Sequence, residues 1–252
     1  MDALKKIRIL NGNTLKLLAA TLMLVDHLGM IFFPTVAIYR AIGRLSMPLF
    51  AFMISEGCRY TKNKWKHFLL LFGLGTGCQL FYYFFDPTSI YFGILITFSL
   101  STLMIYALQF AKKCFFDDNV GFWKTIGAVA LFFGLVLGVY VFSSKLHVDY
   151  GFFGAMIPVF ASIFDFRGIP APDIWKKFDV LPLRILCMLI PMLMIVVTHV
   201  NPLFPLPSLL AIPILLLYSG EKGKWNMKYF FYIFYPAHLA ILEGLYMLIY
   251  VL

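Results

Sequence analysis

The stretch that most constrains this chain is residues 15–59, LKLLAATLMLVDHLGMIFFPTVAIYRAIGRLSMPLFAFMISEGCRY. It holds two apolar segments, each long enough to cross a bilayer. Asp26, His27, Arg40, Arg44, Glu56 and Arg59 lie in or beside them. An ionised group at the centre of a membrane helix costs about 2.5–3.5 kcal/mol on insertion scales, so such groups are seldom kept there without a use. These two segments are therefore read as the working part, and the rest of the chain mainly as its enclosure.

Composition says why lipid is needed. Of 252 residues, 62% are hydrophobic and 13% charged, and the mean hydropathy is +0.87. A soluble domain is about 45–50% apolar and about 25% charged. One water-soluble core cannot hide this much apolar surface. The expected fold is all-α: a single domain over 1–252, a polytopic transmembrane helical bundle of about nine spans enclosing a polar intramembrane site. The spans are placed at 15–33, 42–59, 66–85, 90–111, 123–143, 150–165, 180–199, 205–219 and 229–251. The sixth and eighth are short and can be tilted, re-entrant or broken. Asn13 or Thr14 is the expected cap of the first helix.

A net charge of +9 would point to nucleic acid in a soluble protein. Here Lys and Arg collect in every second connection instead. Lys5, Lys6 and Arg8 precede the first span; Arg59, Lys62, Lys64 and Lys66 follow the second; Lys112, Lys113 and Lys124 flank the fourth connection. Arg167, Lys176 and Lys177 fill the sixth, and Lys222, Lys224 and Lys228 the eighth. The alternate connections, DPTS (86–89), SSKLHVD (143–149) and HVNPLFP (199–205), hold one Lys among them. This is the positive-inside pattern of a cytoplasmic N-terminus and an external C-terminus. No nucleic-acid partner is expected. Arg40 and Arg44 fall on the outer side and break the pattern, which suggests a job other than topology.

Cys58, Cys78, Cys114 and Cys187 show no CxxC spacing, so neither a metal site nor a disulfide is expected. The first apolar run is long, contains Asp26 and His27 and precedes no A-x-A site; it is not expected to be a cleaved signal. Gly73 with Gly77, and Gly134 with Gly138, have GxxxG spacing and read as faces for close helix packing. Thr97 and Ser99 are expected to bond their own helix backbone.

The chemistry starts from His27. Imidazole takes or gives a proton near neutral pH, and a carboxylate can fix its tautomer. Adjacent helix residues point about 100° apart, so Asp26 need not bond His27 and can pair with an arginine of the second span. Arg40 and Arg44 are four apart and share a face if helical. With span one running outward and span two inward, Asp26, His27, Arg40 and Arg44 can be neighbours. A forked, permanent cation suits a phosphate, a carboxylate or a developing oxyanion. A salt bridge to Asp26 that makes both groups tolerable in lipid is the plainer reading, and the two are compatible. Glu56 and Arg59, three apart, read as a helix-end ion pair or a functional pair. Asp149 either joins the outer polar cluster or caps its helix. In FYPAHLAILEGL (234–245), His238 sits two residues after Pro236, with Tyr235 and Glu243 nearby. A second intramembrane histidine beside a kinking proline suggests a cavity.

Four stretches together resemble the TraX family, membrane proteins tied to N-terminal acetylation of conjugative pilin and grouped with the integral membrane acyltransferases. They are LKLLAATLMLVDHLG (15–29), YRAIGRLSMPLFAFMISEGCRYTKN (39–63), DYGFFGAMIP (149–158) and FYPAHLAIL (234–242). Residues 100–147 and 166–228 match only in hydropathy. The family's motif positions map onto Asp26, His27, Arg44, Glu56, Asp149 and His238. The resemblance implies transfer of an acetyl or other short acyl group from acetyl-CoA. The acceptor is a protein N-terminus, a glycan or a lipid-linked molecule, and the implied setting is a bacterial inner membrane.

On that reading His27, with Asp26, is the general base and His238 the rival base. Arg44 and Arg40 would hold the donor phosphates or the oxyanion. Arg59, Lys62, Lys64 and Lys66 are candidate contacts for CoA at a basic inner mouth. Glu56, Asp149 and Tyr235 are candidates on the acceptor side. The alternative, from another class, is a proton-coupled transporter that uses the same Asp, His and Glu as a relay. A third reading is a non-catalytic scaffold.

Overall fold

The computed structural model describes residues 8–85, 91–225, 227 and 229–250. Lys5, Lys6, Lys228 and the connection 86–89 lie outside them. The described chain is nearly all helical: α1 Gly12–Phe32, α2 Ala37–Gly43, α3 Ser46–Tyr60, α4 Lys64–Phe85, α5 Ile94–Phe116, α6 Phe122–Lys145, α7 Gly151–Ala161, α8 Asp173–Lys176, α9 Leu181–Thr198, α10 Ala211–Leu216 and α11 Phe230–Tyr250. A 3₁₀ turn, Leu206–Leu210, leads into α10. The one sheet among the described residues is a two-residue parallel ladder, β1 Tyr91–Phe92 on β2 His147–Val148, which hydropathy gave no reason to expect.

Among the described residues six helical stretches are long and apolar enough to cross a membrane: Gly12–Phe32, Ala37–Tyr60, Ile94–Phe116, Phe122–Lys145, Leu181–Thr198 and Phe230–Tyr250. The chain is a membrane protein on this ground. Nine spans were expected; six of the described stretches meet this length and hydropathy. The third segment forms the 22-residue helix α4 but is not among the six. The sixth is α7, only 11 residues; at 1.5 Å per residue it rises about 16 Å, half of the roughly 30 Å hydrocarbon layer. The eighth is cut short by its prolines. Pro207 falls in the 3₁₀ turn and Pro213 in α10, and each removes a backbone donor that a longer helix needs.

The helices gather into two compact units, residues 1–53 with 196–252, and residues 54–195. In the first, α1 is capped by Asn11, not by Asn13 or Thr14: the Asn11 side chain accepts the N–H groups of Asn13 and Thr14, both at 3.0 Å. Asn13 instead donates its amide to the Trp225 carbonyl at 2.8 Å. The Gly12 N–H donates to Glu221 and the Asn13 N–H to Lys222. The start of α1 is thus tied to the segment that leads into α11, and α11 packs along α1. Two glycines let α2 close on α1. A side chain at Gly29 would run into Tyr39, and one at Gly43 into Asp26, whose Cα would lie 2.6 Å from the added carbon.

The second unit is built on α5, against which α4, α6 and α7 pack. Met104, Ile105, Val139, Ala155, Met156 and Val159 form its core with Cys58. Buried hydroxyls join neighbouring segments there. Ser101 donates to the Ala155 carbonyl at 2.7 Å. Ser99 bonds its own helix at Ile96, whereas Thr97 reaches the Asp149 carbonyl instead. The GxxxG expectation fails: nothing lies within 4 Å of a side chain placed at Gly73, Gly77, Gly134 or Gly138. In this unit the tight approach is at Gly75, where Ile96 N would be 3.1 Å from an added carbon. All four cysteines are free.

Candidate functional site

Two buried polar clusters emerge, one in each unit. In the unit formed by 1–53 and 196–252, the Asp26 carboxylate on α1 meets two arginines. Arg40 Nη1, from α2, donates to Oδ2 at 2.9 Å. Arg44 Nη2 lies 3.6 Å from the same oxygen. Arg44 occupies the two-residue break between α2 and α3 and is only 8% exposed. Both guanidinium groups lie over the Phe204 ring, Arg44 at 4.3 Å and Arg40 at 5.5 Å from its centroid. One carboxylate thus serves two permanent cations, which leaves this trio with net positive charge.

Beside it stand the two intramembrane histidines. His27 Nδ1 is 2.9 Å from the Met23 carbonyl, one helical turn back. His238 Nδ1 is 2.9 Å from the Phe234 carbonyl in the same relation. A carbonyl oxygen only accepts, so in each ring Nδ1 carries the hydrogen, and in the neutral form Nε2 carries the basic lone pair. The rings meet edge to face, with centroids 5.0 Å apart and planes 79° apart. His238 also stacks on Phe234 at 5.0 Å and meets Tyr235 at 5.7 Å. His238 is 4% exposed, and its Nε2 has no hydrogen-bond partner among the described residues. Asp26 pairs with the arginines that follow α1, as the helical step between residues 26 and 27 allowed. The Met23 carbonyl sets the tautomer, because the 100° step between adjacent helix residues turns Asp26 toward the arginines.

In the unit 54–195, Glu56 pairs with Arg184 at 2.7 Å. Arg184 also donates Nε to the Ala161 carbonyl at 3.0 Å and Nη2 to Ser55 Oγ at 3.3 Å. Ser55 and Ser162 share a hydrogen bond of 2.8 Å. Arg59 Nη1 donates to Asp165 at 2.7 Å and Asp179 at 2.6 Å. Lys112 donates to the carbonyls of Ser162 and Asp165, and Gln109 to the Asp165 carboxylate. Three cations face three carboxylates. Glu56 and Arg59 therefore do not form the helix-end pair that their spacing suggested. A cation this deep takes the partners that best offset its lost hydration, and these come from later in the chain.

The remaining sequence candidates scatter. Lys62 is exposed in the bend after α3. Asp149 accepts the Tyr91 hydroxyl at 2.6 Å, beside the β ladder and inside the second unit. Arg59 is held by two carboxylates. The sequence reading passed over Arg184, Asp165, Asp179 and Phe204. Arg184 had a usable signal, a lone charge in LPLRILCMLIPMLMIVV. Phe204 had none, since a phenylalanine in a Pro-rich connection reads as a connector. Among the described residues no group of three or more His, Cys, Asp or Glu is placed to hold a metal ion.

A family model described as TraX protein matches residues 11–246, across both units. No curated protein and no solved structure matches the chain.

Proposed function

Because the chain belongs to the TraX family, we propose that it is an integral membrane acyltransferase that moves an acetyl or other short acyl group from acetyl-CoA to an amine or hydroxyl acceptor. The observation that carries this reading is the arrangement in the first unit. An imidazole whose Nδ1–H is committed to Met23 follows Asp26, the carboxylate that Arg40 and Arg44 share.

The steps follow from those groups. The acceptor's nitrogen or oxygen attacks the thioester carbonyl carbon, and its proton passes to His27 Nε2. The carbonyl oxygen becomes an oxyanion. Arg44, held by Asp26 at one edge and by Phe204 on one face, stabilises that charge or a CoA phosphate, with Arg40 beside it. The tetrahedral adduct then collapses, the C–S bond breaks, and the electron pair leaves on sulfur as the CoA thiolate. Asp26 keeps the two guanidinium groups in register and lowers the cost of holding them in hydrocarbon.

Arg59, already paired with two carboxylates of its own unit, is not retained as a CoA contact. Tyr235, which borders His238 at 5.7 Å, stays as an acceptor-side candidate. The setting proposed is a bacterial inner membrane with a cytoplasmic N-terminus.

The test uses purified protein in detergent with labelled acetyl-CoA. Acyl transfer or thioester hydrolysis that disappears in His27→Gln supports the reading. Absence of CoA binding, together with proton-dependent solute uptake in vesicles, replaces it with the transporter, a reading that the family match does not favour. Variants at His27 and Arg44 that lose stability while no acyl transfer is found at all would leave the scaffold.

A further inference from the structure

His238 is hard to explain as packing alone. Its ring stacks on Phe234 at 5.0 Å with planes 10° apart, a place that a phenylalanine would fill. Instead the site holds an imidazole whose Nε2 is buried and bonded to nothing among the described residues. A buried polar atom that has lost water and gained no partner destabilises the fold. Such an atom is kept where something arrives to use it. The His27 imidazole is its edge-to-face neighbour, with centroids 5.0 Å apart. Both rings commit Nδ1 to a carbonyl of their own helix, so Nε2 is the working atom of each. A third polar group, Tyr235, borders His238 at 5.7 Å.

Resting on the acyl-transfer reading, we propose that His238 is a second catalytic group, which relays the acceptor's proton from His27 to the sulfur of the departing thiolate. The acceptor's N–H or O–H bond breaks and its proton goes to His27 Nε2, while the new C–N or C–O bond forms. The C–S bond breaks and leaves its electron pair on sulfur. His238 Nε2 takes the proton from His27 and hands it to that sulfur, giving the free thiol. One proton has crossed from acceptor to leaving group, both rings return to neutral, and no further reactant is consumed. The burial of His238 fits this role. A relay holds charge only in passing, whereas a resting acid would have to keep an imidazolium in an apolar site.

A structural role and a relay respond differently to the leaving group. The thiol of CoA is a poor leaving group that gains from protonation, whereas an acidic aryl thiol departs without it. His238→Phe keeps the stack on Phe234 and removes the relay. With acetyl-CoA its transfer rate should fall about 100-fold, the lower end of the range for a positioned acid or base. With an acetyl aryl thioester the loss should shrink to roughly 3-fold or less. His27→Gln should lose transfer with both donors. Equal loss in His238→Phe with both donors overturns the relay and makes His238 a packing residue, as does no loss with either. If His238→Phe does not fold, His238→Gln is put through the same two-donor comparison. Failure of the wild-type protein to transfer from either donor sinks the acyltransferase reading itself, an outcome distinct from failure of the relay.

Discussion

The two buried clusters hold their charges in different ways. In residues 54–195, Arg59 pairs with Asp165 and Asp179 and Arg184 with Glu56 at 2.6–2.7 Å, while Lys112 donates to the carbonyls of Ser162 and Asp165. In the unit of 1–53 and 196–252, Asp26 is divided between two arginines, at 2.9 and 3.6 Å, and the two histidines beside it point only one nitrogen each at the protein. The first arrangement explains itself. Charges buried in apolar surroundings are tolerable when they offset one another, and breaking such a pair leaves an uncompensated ion. The second shares one carboxylate between two guanidinium groups next to two imidazoles, and the proposed chemistry is placed there.

That contrast can be broken or sharpened by substitution. The largest effect belongs to His27→Gln, expected to slow acyl transfer by about 10²–10⁴-fold with the unfolding midpoint in detergent unmoved. A lower midpoint with an unchanged rate per folded molecule would erase the contrast. Next is Arg184→Met, which removes the guanidinium held 2.7 Å from the buried Glu56 carboxylate; thermal or denaturant unfolding should show a loss of about 3–5 kcal/mol. Gly43→Ala follows. Its methyl group runs into Asp26, and forcing α2 off α1 should cost about 1–3 kcal/mol, with transfer falling as Asp26 shifts. Arg44→Lys keeps the charge but loses the fork; kcat/KM should drop about 10-fold, near 1.4 kcal/mol, with little change in stability. The smallest effect is at Asp173, whose side chain is 95% exposed beside Lys176. Asp173→Ala should leave both the midpoint and the rate unchanged, as isolated surface pairs usually do.

What could be read in advance follows from sequence distance. Asp26 and His27 were visible because two titratable groups interrupt an apolar run. The nearness of Asp26 to Arg40 and Arg44 followed from helical spacing and antiparallel neighbours. His238 showed itself by the same interruption beside Pro236. The partners of Glu56 and Arg59 did not, because Asp165 and Asp179 lie 106 and 120 residues beyond Arg59. Spacing within one helix suggested a local pair, and long-range burial selected other partners. Pro207 and Pro213 shorten the eighth segment without making it less apolar, so hydropathy alone could not show its helix to be short. The GxxxG spacing misled for a related reason: the motif marks a face that permits close approach, and here Gly29, Gly43 and Gly75 are where backbones and side chains come near.

The most direct check is the labelled-acetyl transfer rate per folded molecule in the double variant Glu56→Leu/Arg184→Met, with His27→Gln alongside. Replacing both members of a buried ion pair by apolar groups is often close to neutral for stability, so the double variant should stay folded. The account predicts transfer near the wild-type rate there, and none above background in His27→Gln. A folded double variant that has lost transfer, with His27→Gln still active, would put the chemistry in the wrong cluster.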